Sequence, residues 1–151
     1  MELKKNAYEE ALSQLRMHAP LFWQRNNFFL LVQTGLFTYC VNVQYSEKEM
    51  SVLFSLLLYI MGFVTALIWY FVVKSGQKIQ RDWRRIAIYF EKEYFGETEE
   101  GPLTYADKYL QEGRNPKISI SQKMIYFTYF FITVWIILFG KLFYDLLFIK
   151  G

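Results

Sequence analysis

Asn27, Thr34, Thr38 and Asn42 fall on one face of a helix turned by about 100° per residue, and Gln33, Phe37, Cys40 and Gln44 fall on another. Amides and hydroxyls in such a stripe have two uses in an apolar setting. They line an aqueous path, where their dipoles replace part of the hydration of water or an ion, or they bond to neighbouring helices. The run that carries them, 27–45, is otherwise apolar and close to the shortest that crosses about 30 Å of hydrocarbon. Uncompensated amides are costly in lipid, so both faces are expected to meet protein or water.

The element just before the stripe positions it. Within 21–31 an aromatic pair, Phe22 and Trp23, is followed by the cation Arg25 and the amides Asn26 and Asn27, where a charged segment gives way to membrane-grade apolarity. A Trp ring at headgroup level keeps its N–H wet, and an Arg there extends its guanidinium to lipid phosphates. Trp23 and Arg25 therefore mark where the chain enters the bilayer, with 1–26 as the lead-in. Upstream, Tyr8, Ala11, Leu12, Leu15 and Ala19 recur at helical spacing, with Lys4, Lys5, Glu9, Glu10 and Arg16 mostly elsewhere on the wheel. This predicts an amphipathic helix ending near Pro20, lying on the cytoplasmic leaflet or packed against another part of the protein.

The composition agrees. Of 151 residues, 54% are hydrophobic and 21% aromatic beside an ordinary charged fraction of 21%, so apolar residues and charges must be segregated along the chain. The length suits a single domain. A net charge of +3 is too small to argue for nucleic acid. Cys40 is the single cysteine, which excludes an intramolecular disulfide and a thiol metal cluster; it reads as a small packing residue. The first apolar stretch follows a charged lead and has no small-x-small cleavage site after it, so no secretory signal is expected.

Two further spans follow. After the polar connection at 46–49, the second span at 51–73 holds 52–73 without a charge. Ser51, Ser55, Tyr59, Gly62, Ala66 and Trp69 share one face of it, and the small pair Gly62 and Ala66 invites close helix packing. Residues 74–123 are polar and read as a small cytosolic layer. Gly76 is expected to loosen the chain before a basic helix at 77–95, in which Ile79, Trp83, Ile86 and Phe90 form a stripe ringed by Lys78, Arg81, Arg84 and Arg85. Trp83, Arg84 and Arg85 are its candidate contacts with anionic headgroups, another subunit or a cytosolic protein. A short helix is expected at 103–111, before a turn at Asn115 and Pro116. The third span occupies 124–149, with Tyr129, Thr133, Gly140 and Tyr144 on one face for helix packing and with Lys141 and Asp145 four apart, able to pair near the far headgroups.

Orientation follows from the cations. Of the 17 Lys and Arg, 4 precede the first span and 10 lie in 74–123. The N-terminus and the middle segment are therefore expected in the cytoplasm and the C-terminus outside the inner membrane, in a multi-pass arrangement.

Catalytic parts are missing. His18 is the only histidine, and Arg16 precedes it by two residues, too close for an Arg-and-His nuclease pair. There is no Gly-rich phosphate loop, no zinc-binding pair of histidines and no nucleophile elbow. No cofactor and no metal are expected, and the chain does not read as an enzyme. A lipid-acting enzyme would need a cytosolic acid/base pair such as Glu91 with Glu93.

The junction Phe22-Trp23-x-Arg25-x-x-x-Phe29, preceded by an amphipathic helix and followed by a short polar span, resembles the small bacterial membrane proteins of the RipA-like octameric family. It is similar, too, to the pore-forming membrane accessory proteins of type VI-B CRISPR systems. The resemblance implies a ring-shaped homo-oligomer, an octamer, that permeabilises the bacterial inner membrane in phage defence. The fold expected is all-α: an integral membrane protein with three transmembrane helices, an N-terminal amphipathic helix and a small cytosolic helical layer. Assembly also follows from the residues, because one protomer of three short spans has little interior to shelter Gln33, Thr34, Thr38, Asn42 and Gln44 together, so sister copies would supply partners. The functional expectation is a pore or channel-like effector lined by Asn27, Thr34, Thr38 and Asn42. The alternative is a non-conducting scaffold that recruits a cytosolic partner through 77–95.

Overall fold

The computed structural model describes residues 2–45, 51–95, 101–104 and 120–148. The connection at 46–49, the cluster Glu97, Glu99 and Glu100, most of the expected helix at 103–111, the turn at Asn115 and Pro116, and Lys150 lie outside these residues. The described chain is carried by three long helices: α1 (Glu2–Tyr45), α2 (Val52–Phe95) and α3 (Ile120–Phe148). It divides into two units, Met1–Trp23 with Ser75–Ser119 and Gln24–Lys74 with Ile120–Gly151.

Two expected breaks do not occur. The amphipathic helix does not end near Pro20, because α1 runs through it. Proline removes one backbone donor, and the Arg16 carbonyl left over lies on the exposed side of the helix, where water can take it. Ala11 before the proline and Phe22 after it are both buried, so packing on either side holds the helical path. Gly76 does not interrupt α2 either. The space that its side chain would fill is taken by the Phe22 ring, 2.7 Å from where a Cβ would sit. The glycine serves close approach, not flexibility.

In the first unit the N-terminal half of α1 pairs antiparallel with the C-terminal half of α2. Tyr8 stacks on Tyr94 and meets the edge of Phe95, and His18 stacks on Trp83. Lys4 Nζ reaches Glu93 Oε2 at 3.2 Å. The expected amphipathic face, with Tyr8 and Ala11 buried, thus meets α2. Burial first, and then the charge of Glu91, raise the Tyr8 phenol above its ordinary range, with Arg16 pulling it back, so Tyr8 stays neutral at physiological pH. Glu91 is fully buried and accepts the backbone N–H of Leu103 at 2.9 Å and of Thr104 at 3.2 Å. It thereby caps the helical turn that opens at Pro102, and Gly101 is packed so closely that any Cβ would strike the carboxylate.

The second unit packs the rest of α1 and α2 with α3. Along α2, Ser55, Tyr59, Gly62, Ala66, Trp69 and Val73 are buried in steps of three and four, the spacing of one seam. Ser51, expected on that seam, is instead the cap of α2, its hydroxyl accepting the Phe54 N–H at 3.2 Å. Trp135 of α3 lies over Gly62, where a Cβ would overlap the indole. Tyr59 and Phe63 meet Phe139, and Trp69 meets Phe131.

Two helices are long and apolar enough to cross a membrane, α2 and the Gln122–Phe148 part of α3. Only 33% of the most apolar stretch of α2 and 11% of that of α3 is buried, whereas the core helix of a soluble domain is mostly covered. Broad rows of Leu, Ile and Phe on both helices face outward. α1, whose apolar residues are interrupted by amides, is not among the candidates.

Gly62→Ala is expected to cost about 1–3 kcal/mol by overpacking against Trp135. The readout is the melting temperature of the detergent-solubilised protein, followed by tryptophan fluorescence. Gly140→Ala is the control: nothing lies within 4 Å of its Cβ position, and no loss is expected.

Candidate functional site

An indole N–H buried among hydrocarbon needs an acceptor, and in the second unit α1 supplies one for each buried tryptophan. Gln33 is completely buried, its Oε1 accepting from Trp135 Nε1 at 2.7 Å. Its Nε2 donates to the Gly62 carbonyl at 3.1 Å and to Thr65 Oγ1 at 2.8 Å. One amide therefore ties α1 to both other helices. One level along α1, Asn26 Oδ1 accepts from Trp69 Nε1 at 2.8 Å, and Phe29 stacks on the same indole with ring planes 10° apart. Cys40 is buried as well, as a small packing residue. Asn26, Gln33 and Cys40 are spaced by seven residues, so they stay on one side of α1.

The need for a sister copy to shelter Gln33 is overturned, because the protomer itself satisfies this amide. Sequence reasoning paired it with none of its partners, Trp135 being 102 residues away. The seven-residue spacing of Asn26, Gln33 and Cys40 was the one legible signal of an inward polar face.

The other polar face behaves differently. Asn27, Thr34, Thr38 and Asn42 are all exposed on the protomer. Thr34 Oγ1 donates to the Leu30 carbonyl of its own turn at 2.8 Å, which removes most of its cost in an apolar medium. Asn27, Thr38 and Asn42 have no hydrogen-bond partner among the described residues, so two whole amides and a hydroxyl point outward. The side chain of Gln44 lies outside the described residues.

The remaining candidates separate by position. Gly62 and Ala66 lie in the helix seam as expected, but Thr133 and Gly140 stay on the exposed side of α3, and Thr133 bonds only to the Tyr129 carbonyl of its own helix. Phe139 and Trp135, not the small residues, bring α3 to α2. Trp23 and Arg25 are exposed, and Trp23 meets the Phe22 ring edge-on. Trp83 is half-buried against His18, Arg84 is half-buried, and Arg85 faces outward. Glu91 accepts backbone N–H groups and Glu93 pairs with Lys4. Lys141 and Asp145 form no ion pair; Lys preceding Asp by four is the weaker order for such a pair on a helix. No group of three or more His, Cys, Asp or Glu among the described residues could hold a metal ion.

Long apolar outer faces, inward amides tied to indoles and outward amides left open define a helical membrane protein that presents a polar strip beyond its own core. The chain belongs to the 8xMP octameric membrane protein family, whose family model matches residues 5–144. It is accordingly an oligomeric membrane protein. Neither the curated proteins nor the solved structures give a match.

Gln33→Leu is expected to cost about 1–3 kcal/mol, because Trp135 loses its acceptor inside the bundle. In a double-mutant cycle, Trp135→Phe should destabilise the Gln33→Leu protein less than the natural one by about 1 kcal/mol, as read from detergent melts.

Proposed function

We propose that this protein assembles as a homo-octameric pore or channel-like effector of the bacterial inner membrane, with the exposed stripe Asn27, Thr34, Thr38 and Asn42 along the axis. The carrying observation is that these four side chains stay outside while Asn26 and Gln33 of the same helix are consumed within the protomer. Outward amides facing acyl chains would go unsatisfied, and a water-filled axis removes that cost. Membership of an octameric family supplies the copies.

In this reading, 27–45 of α1 is a third span, short and polar because one side of it meets water. The first Lys- and Arg-rich segment and 74–123 lie in the cytoplasm, and the C-terminus lies outside. The protein acts without catalysis, by permeabilising the membrane in anti-phage defence, and the cytosolic layer receives the trigger. A second reading is favoured by the exposed Arg85, Ile86 and Tyr89 on α2: a non-conducting scaffold that holds a cytosolic protein through 77–95.

In vesicles, the purified protein should release a trapped ion. The combined variant Asn27→Leu, Thr34→Leu, Thr38→Leu and Asn42→Leu, still oligomeric, should lower that release by roughly tenfold or more, as expected when polar pore walls dewet. Unchanged release would refute the lining. Absence of release from the natural protein, together with loss of a bound partner in Arg85→Glu, would favour the scaffold.

A further inference from the structure

Three polar side chains outside the amide–indole pairs meet where the charge-free run 52–73 ends: Tyr70 and Lys74 on α2, and Tyr129 on α3. The two phenol rings lie 5.4 Å apart at 42°, and Lys74 Nζ is 5.6 Å from the Tyr70 ring centroid. Tyr70 thus has a second phenol against it and an ammonium group close by. An ammonium group carries three donors and no acceptor, and each phenol adds one O–H donor. The cluster is therefore rich in donors and carries one positive charge. No carboxylate answers them, since the ion pairs among the described residues are Lys4 with Glu93 and Lys5 with Glu9.

The position says what the missing acceptor is. Lys74 and Tyr129 are exposed and Tyr70 is half-buried, so the cluster opens outward. Next to it the exposed rings of Phe71 and Phe130 give an apolar wall that suits acyl chains. The first cation after a long apolar run sits at headgroup depth, where phosphate is the abundant anion.

We propose that Tyr70, Lys74 and Tyr129 bind the phosphate of an anionic phospholipid. The phosphate oxygens accept from the ammonium and the phenol hydroxyls, the ammonium offsets the lipid's charge, and the chains lie along α2 and α3. A choline lipid carries its own cation beside the phosphate and is the weaker ligand. The inference rests on membrane residence and is independent of conduction.

The test uses the full-length protein in detergent, melted with short-chain phosphatidylglycerol, short-chain phosphatidylcholine or inorganic phosphate at equal concentration. Phosphatidylglycerol should raise the melting temperature more than the other two. Lys74→Gln, which alters an exposed side chain, and Tyr129→Phe, which keeps the ring packing, should each lose roughly half or more of that rise while melting near the natural protein without lipid. If both variants keep the full rise, the assignment is wrong. An equal rise with inorganic phosphate would overturn the lipid as its occupant.

Discussion

Inside an apolar bundle every N–H needs a partner, and the second unit is arranged around two indoles that find theirs on one helix. Trp69 and Trp135 come from different helices, yet both donate to side-chain amides of α1. An indole is large enough to fill an interhelical gap, and its single donor fixes how deep it sits and which way it turns. Gln33 then spends its own N–H groups on α2, so this one amide joins three helices. Gly62 belongs to the same arrangement, because only a residue without a side chain lets the Trp135 ring lie against α2 at that level.

The inward amides leave the outward ones conspicuous. α1 is a helix with two polar sides: one satisfied within the protomer and one that the protomer leaves open. Apolar rows on α2 and α3 are suited to lipid or to neighbouring copies, but Asn27 and Asn42 are suited to neither unless water or a polar partner comes with them. That division is the physical basis for the proposal that the open side lines an axis shared by the copies.

The first unit solves a different problem with a similar device. Two helical arms share a thin aromatic seam, and a buried carboxylate gathers the backbone of the turn that follows α2. Glu91 is helical and buried, and the N–H groups of a helix start converge on its carboxyl oxygens. The close packing of Gly101 against the carboxylate, and of Gly76 against Phe22, shows both glycines used for contact.

The class of protein was legible from the chain alone. Segregated charge, the uninterrupted run 52–73 and the seam from Ser55 to Trp69 depend only on local composition and helical periodicity, and the aromatic junction at Phe22 and Trp23 carried the family resemblance that the match over 5–144 establishes. Other features were not legible. Pro20 and Gly76 read as breaks because propensity is local, whereas burial of Phe22 and its neighbours carries both helices through. Which amides of α1 turn inward could not be read from their types, since Gln33 and Asn42 are alike in chemistry and differ only in whether an indole from a distant helix reaches them. Composition and spacing thus determine that helices form and where they are apolar. The pairing of individual polar groups is a tertiary matter, because a hydrogen bond inside hydrocarbon exists only when packing brings its two halves together.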